Sequence, residues 1–239
     1  MLIGGDASQL EWRTCVEISN DPVGLQEILD NIDFHALNQE QFGLPSRLIA
    51  KIYLFRTIFN RGKGYAFTVD PDFLHVSTSI KYWDEIGHKF YSKYKALDKL
   101  YDKNLQLISM GKPIIGPLGR EWLIKPLINY KGEFELPVTK AVNYPVQGTG
   151  ADVMMVARIS LRNRLMKLPD SKYIKFISTV HDSVYIDAPS DFVKPIAKTF
   201  HEVFNDLPKN IEKLFGYKWK TPLGCEVKIG MDMKNMEKV

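Results

Sequence analysis

Leu2-Ile3-Gly4-Gly5-Asp6-Ala7-Ser8-Gln9-Leu10-Glu11-Trp12-Arg13 is the stretch that decides the fold. Its apolar start reads as a short strand that delivers Asp6 at its end, and Ser8 to Ile18 reads as a helix. Far along the chain the arrangement returns. Tyr173 to Val180 is a β-rich run, His181-Asp182 is a tight turn, and Ser183 to Ala188 is the return strand. Asp6 and Asp182 thus each end a hydrophobic strand, where a sheet edge presents a carboxylate. Alone, either aspartate reads as a turn or cap residue. Together, two carboxylates from different strands are enough protein ligand for Mg²⁺, which prefers a few carboxylates plus substrate phosphates to an all-protein cage. Two such ions about 4 Å apart neutralise both the attacking and the leaving oxygen of a phosphoryl transfer.

Between the two aspartates lies Arg47-x3-Lys51-x3-Phe55-x3-Phe59. Ser46 is expected to cap a helix from Arg47 to about Phe59, and Gly62 and Gly64 to end it. Positions four apart share one helix face, drifting slowly around it. Arg47 and Lys51 can hold the β- and γ-phosphates of a nucleoside triphosphate, with Lys51 placed to help protonate leaving pyrophosphate. Phe55 and Phe59 can pack on sugar and base. Spacing alone favours a plain amphipathic helix with core aromatics. Leu48, Ile49, Ile52, Leu54 and Ile58 can supply a core face, however, which frees the stripe for a ligand.

Elsewhere the pattern mixes helices and strands. Asp33-Phe34-His35 precedes a helix through Gln41, broken at Gly43-Leu44-Pro45. Tyr82 to Ser109 is one long helix or two. Glu121 to Ile124 is strand-like, and Asn129 to Glu135 is a hairpin tip turning at Lys131-Gly132. Lys140 to Leu168 is helical, with Pro145 placing the helix proper from about Val146. Phe192 to Phe204 is a helix and Cys225 to Gly230 a last strand. Asn143 and Gln147, four apart, carry amides that can donate to minor-groove base acceptors without reading sequence. The other reading there is a capped helix start with a small packing face, Gly148, Gly150 and Ala151.

The 239 residues can bury a sizeable core. A net charge of +4 is compatible with a polyanionic partner and not diagnostic of one. From Lys81 to Lys112, lysines alternate with Tyr82, Tyr91, Tyr94 and Tyr101, which fits phosphate contact or a solvated helix face equally. Cys15 and Cys225 form neither a disulfide framework nor a zinc spacing, so a reducing, cytoplasmic compartment is expected. The start lacks the features of a signal peptide, and no run of 18 apolar residues suggests a membrane partner.

These residues resemble the family A (DNA polymerase I-like) DNA polymerases. Asp6-Ala-Ser-Gln-Leu-Glu-Trp-Arg13 is similar to the family's motif A, D-Y-S-Q-I-E-L-R. The helix from Arg47 resembles motif B. Asn143 to Asp152 resembles N-x-P-V-Q-G-T-x-A-D, and Val180-His-Asp-Ser183 resembles motif C, V-H-D-E. The resemblance spans Ile3 to about Met236 and looks phage-like in the short spacing from His35 to Arg47. It implies an α+β polymerase palm, an antiparallel sheet with helices, over 1–32 and 138–239. A mostly helical fingers domain would be inserted over 33–137. It implies template-directed DNA synthesis from dNTPs on a primer–template, with two Mg²⁺ ions and Mn²⁺ as the alternative. Asp6, Asp182 and the Ala7 backbone carbonyl would bind metal. Arg47, Lys51, His35, Phe55, Phe59 and Gln9 would bind the dNTP, and Glu11 would exclude a 2′-hydroxyl. Phe rather than Tyr at position 55 implies discrimination against dideoxynucleotides. Arg13, Arg120, Asn143, Gln147 and His181 would contact DNA.

The pattern is broken in four places. Ala7 replaces an aromatic, Arg56 a glycine, Phe59 a tyrosine and Ser183 a glutamate. The expected effect is on rate or metal preference, because both metal aspartates remain. Only five residues precede Asp6. The thumb, with or without a 3′–5′ exonuclease, is therefore expected on a second chain of a split, phage-type enzyme working in the host cytoplasm. Two alternatives stand beside this one: a single-subunit RNA polymerase, which Glu11 opposes, and a silent DNA-binding accessory subunit, which the intact Asp6, Asp182, Arg47 and Lys51 oppose.

Overall fold

The computed structural model describes residues 1–129 and 131–239, with side chains throughout except at Phe59 and Asn60. In chain order the elements begin with β1 (Leu2–Ala7), α1 (Leu10–Ser19), α2 (Pro22–Leu29), α3 (Phe34–Phe42) and α4 (Arg47–Asn60). Next come α5 (Gly64–Thr68), α6 (Ile80–Lys93), α7 (Lys95–Ser109), and short strands β2 (Ile114–Ile115), β3 (Glu121–Trp122), β4 (Leu127–Ile128) and β5 (Phe134–Glu135). The chain closes with α8 (Val138–Leu165), β6 (Lys175–Val180), β7 (Ser183–Asp187), α9 (Val193–Phe215), β8 (Cys225–Gly230) and β9 (Glu237–Lys238). It divides into two compact units, residues 1–14 with 148–239, and residues 15–147. The sequence places these bounds at 32/33 and 137/138.

The first unit is built on a five-stranded sheet in the order β6-β7-β1-β8-β9. β1 lies at its centre, antiparallel to β7 and to β8, with Asp6 opposite Ser183 on one side and Glu226 on the other. Strand side chains alternate between faces, so β1 sorts its own residues. Gly5 faces α9, where a Cβ would stand 2.2 Å from Phe200 Cε1. Gly4 and Asp6 face the other way, and a Cβ on Gly4 would meet the Tyr185 ring. α9 covers the first face with Ile196, Phe200, Val203, Phe204, Leu207 and Ile211, an apolar stripe at helical spacing. The stripe continues past Pro208, so the helix runs eleven residues beyond its expected end at Phe204.

The second unit is helical. Its core includes the rings of Tyr53, Phe67, Phe73 and Trp83, with Tyr53 and Trp83 stacked at 5.6 Å between centroids. Ser46 caps α4 by accepting from Ile49 N at 3.2 Å, as expected. The helix ends at Asn60 on Arg61, which takes the left-handed conformation (φ 48°) where a glycine was anticipated. Arg61 is held there by Asp98 and by Asp102 at 2.8 Å, over the Tyr91 ring. α6 and α7 are two helices; Tyr82 is half-exposed, and the other three tyrosines of the stretch turn inward. Tyr94 and Tyr101 are fully buried, and Tyr91 and Tyr101 donate to the Thr57 and Ile58 carbonyls. Lys81, Lys89, Lys95, Lys99 and Lys103 form the solvated face, while Lys93 pairs with Glu27 at 2.9 Å.

Two further expectations are corrected. α8 starts at Val138 rather than Val146 and carries Pro145 inside. Leu48, assigned to the core face of α4, is 64% exposed, whereas Ile49, Leu54 and Ile58 are buried. Position 48 is one residue too far around the helix to share their face. Of the hairpin read at 129–135, Tyr130 lies outside the described residues. The remainder turns at Gly132, with Gly132 N donating to the Asn129 carbonyl.

Candidate active site

In the first unit, a two-residue loop joins β6 to β7. Val180 pairs with Ser183, and His181 and Asp182 make the turn. His181 has φ 53°. The first loop residue of such hairpins needs a positive φ, and a side chain there costs about 1 kcal/mol of backbone strain. The turn is fastened to β1 by Ala7 N, which donates to the Asp182 carbonyl at 3.0 Å. Asp6, exposed at the end of β1, accepts from the Ser183 hydroxyl. Asp6 and Asp182 are thereby brought to one end of the sheet. Burial first, and then the charge of Asp6, pushes the Asp182 carboxyl above its ordinary range. Cys225, across from Ala7 on β8, has its thiol pushed up to about 12 by burial and by Asp6.

Two carboxylates this close, one of them half-buried, repel each other when ionised. A divalent cation relieves both the repulsion and the desolvation, so the pair fits the chemistry expected of Mg²⁺. Among the described residues no cluster of three or more His, Cys, Asp and Glu side chains is gathered for an all-protein metal cage.

The other residues of this unit flank the turn between β1 and α1. Gln9 is exposed with φ 51°, and Glu11 is half-buried in the first turn of α1. Arg13 donates Nε to the Ser8 carbonyl at 2.9 Å and Nη1 to the Pro222 carbonyl at 2.5 Å. It therefore braces the corner behind Asp6, a role the sequence did not reveal, and burial pulls its pKa down.

In the second unit, Arg47, Lys51 and Phe55 lie exposed along α4, Phe55 at 38%. The Phe59 side chain lies outside the described ones. Arg47 reaches the Asp33 carboxylate through Nε at 2.9 Å and Nη2 at 2.8 Å. Asp33 also caps α3 by accepting from His35 N and Ala36 N. His35 is half-buried, and its ring Nδ1 is buried without a hydrogen-bond partner. Burial, then the charge of Arg47, lowers the His35 pKa, with Asp33 opposing. Further along, Asn143 Oδ1 is buried and unpartnered on α8, Gln147 is exposed one turn on, and Arg120 is exposed. Arg56, the residue after Phe55, has a role that its departure from the family pattern does not reveal. It ties α4 to Asp70 and Asp72 and lies over the Phe73 ring at 5.3 Å.

The chain belongs to DNA polymerase family A, whose model matches residues 1–235. DNA polymerase I of Caldicellulosiruptor bescii is 27% identical over 247 residues, a match covering 97% of this chain and 26% of that protein. The thermostable DNA polymerase I of Thermus aquaticus is 23% identical, covering 97% of this chain and 27% of that one. This chain thus spans about a quarter of the length of these relatives. Among solved structures, the POL domain of Pol1 from M. smegmatis, in complex with DNA primer-template and dNTP, matches with a TM-score of 0.76. The identity is 19%, over 96% of this chain and 39% of that one, so the fold is shared. No described helix is long and apolar enough to cross a membrane.

Proposed function

We propose that this chain is the palm and fingers part of a DNA polymerase, adding deoxynucleotides to a primer 3′-hydroxyl under template direction. The observation that carries the reading is the meeting of Asp6 and Asp182 at one sheet end, with the Asp182 carboxyl raised partly by Asp6. Asp6, Asp182 and the Ala7 carbonyl would hold Mg²⁺, or Mn²⁺ in its place, which when bound neutralises charge on the attacking and leaving oxygens.

The remaining steps fall to side chains. The 3′-hydroxyl gives up its proton to solvent as its oxygen forms a bond to the α-phosphorus of the dNTP, the bond from that phosphorus to the bridging β-phosphate oxygen breaks, and pyrophosphate leaves. Arg47 and Lys51 bind the triphosphate, and Lys51 supplies a proton to the pyrophosphate. For Arg47 this means exchanging Asp33 for phosphate. The ion pair is about half exposed on both sides, so giving it up costs about 1 kcal/mol or less. His35 and Gln9 add dNTP contacts, Phe55 and Phe59 pack on sugar and base, and Glu11 excludes a 2′-hydroxyl. Asn143 and Gln147 offer amides to the minor groove, with Arg120, His181 and Arg13 for the backbone. A thumb gripping the duplex lies outside these residues, on the same polypeptide or on a second chain.

Primer extension with Mg²⁺ and dNTPs or rNTPs, with and without the thumb-bearing chain, tests this. Extension with dNTPs alone is expected, and Asp182→Ala should lower it by about a thousandfold or more. Equal use of rNTPs, or full activity in Asp182→Ala, overturns the reading.

A further inference from the structure

We propose that Ser183 is a positioning residue that orients the Asp6 carboxylate for the cation, an inference that rests on the metal role given to Asp6 above. Ser183 and Asp6 are directly opposed across the β1–β7 ladder, and the Ser183 hydroxyl donates to Asp6 Oδ1. The register is fixed on both sides of the contact. Val184 and Ile186 are buried at 1% and 0% exposure, which commits Ser183 to the opposite face. The two-residue turn closes at Val180 and Ser183 themselves.

The other cross-strand neighbour of Asp6 is Glu226 on β8. It is occupied elsewhere, by Lys228 at 3.1 Å and Lys238 at 2.8 Å. In the row Ser183–Asp6–Glu226, the hydroxyl is thus the group that reaches Asp6. A carboxylate at a strand end turns freely about its side-chain bonds. A hydrogen bond donated to Oδ1 restricts that rotation, and the ionised carboxylate keeps further lone pairs for a cation. Where the family pattern carries a glutamate, this chain supplies orientation instead of an additional negative charge. The consequence is a site whose cation affinity depends on a neutral hydroxyl.

Mn²⁺ binding to the protein, read by electron paramagnetic resonance without nucleotide or DNA, tests this apart from activity. Ser183→Ala should weaken binding by about tenfold, the low end for losing a hydrogen bond to a charged group. Ser183→Thr, which keeps a hydroxyl donor and suits a strand, should return it to within about twofold of wild type. The melting temperature in EDTA should stay at the wild-type value in both. Wild-type binding in Ser183→Ala, or equal weakening in Ser183→Thr, overturns the inference. Asp6→Ala separates the two levels. If it abolishes binding while Ser183→Ala does not weaken it, only the Ser183 role fails. If Asp6→Ala and Asp182→Ala both bind as wild type, the metal reading fails as well.

Discussion

The Asn104 side-chain amide donates to the Ala141 carbonyl at 3.0 Å, and Ala141 is the residue four before Pro145. Proline has no N–H, so within α8 it leaves that carbonyl without its helical donor. Asn104, 2% exposed on α7, replaces the missing bond from a different helix. Asn104→Ala should therefore strand a buried carbonyl and lower stability by about 1–3 kcal/mol. Pro145→Ala restores the N–H, so the double variant should recover part of that loss. Urea denaturation of the four proteins gives the coupling, and strictly additive losses would show that the amide is not compensating for the proline.

The same contact explains what the sequence concealed. Placing α8 from Val146 followed the rule that proline starts a helix, and the rule failed because the replacement donor sits far away in sequence. Tyr91 and Tyr101 left two readings open for a similar reason. Their hydroxyls found the Thr57 and Ile58 carbonyls of α4, partners that no local pattern reveals. What was legible was local. β1, the His181-Asp182 turn and the Ser46 cap each follow from a few adjacent residues, and with them came the two carboxylates. The Ser183–Asp6 contact was not legible, because it depends on the register between two strands 177 residues apart.

Gly5 is required by Phe200. A Cβ at position 5 would lie 2.2 to 2.7 Å from three ring carbons of a fully buried phenylalanine. Gly5→Ala should cost about 1–3 kcal/mol through overpacking, and Phe200→Leu in the same protein should return some of it by removing the opposing ring atoms. Because Gly5 precedes Asp6, primer extension should fall in Gly5→Ala and recover together with stability. Chemical denaturation alongside extension follows both, and a stable but inactive double variant would break the link between them.

Arg56 fastens the 70–73 segment to α4 through Asp70, Asp72 and the Phe73 ring. Asp70 is only 11% exposed, so losing its partner leaves a mostly buried carboxylate. Arg56→Ala should lower stability by about 1 kcal/mol or more and speed amide exchange at residues 70–73. Arg56→Gly, the residue of the family pattern, should be worse by about 1 kcal/mol, because glycine weakens a helix interior. Equal exchange rates in wild type and Arg56→Ala would show that the segment is held by other contacts.

His35 makes the stability of the second unit depend on pH in a definite direction. Its pKa in the folded protein lies below the ordinary 6.5, through burial and then the Arg47 charge. At high pH the ring is neutral in both folded and unfolded chains and has no effect. As pH falls through 6.5 the unfolded chain takes up a proton that the folded chain resists. Stability is therefore lost on acidification from about 6.5 downward, until the folded-state pKa is passed. His35→Gln removes the titration, so its melting temperature should fall less than wild type between about pH 7 and pH 5. Arg47→Gln removes part of the cause and should lie between the two. Parallel melting curves for wild type and His35→Gln across that range would mean that the ring is as easily protonated folded as unfolded.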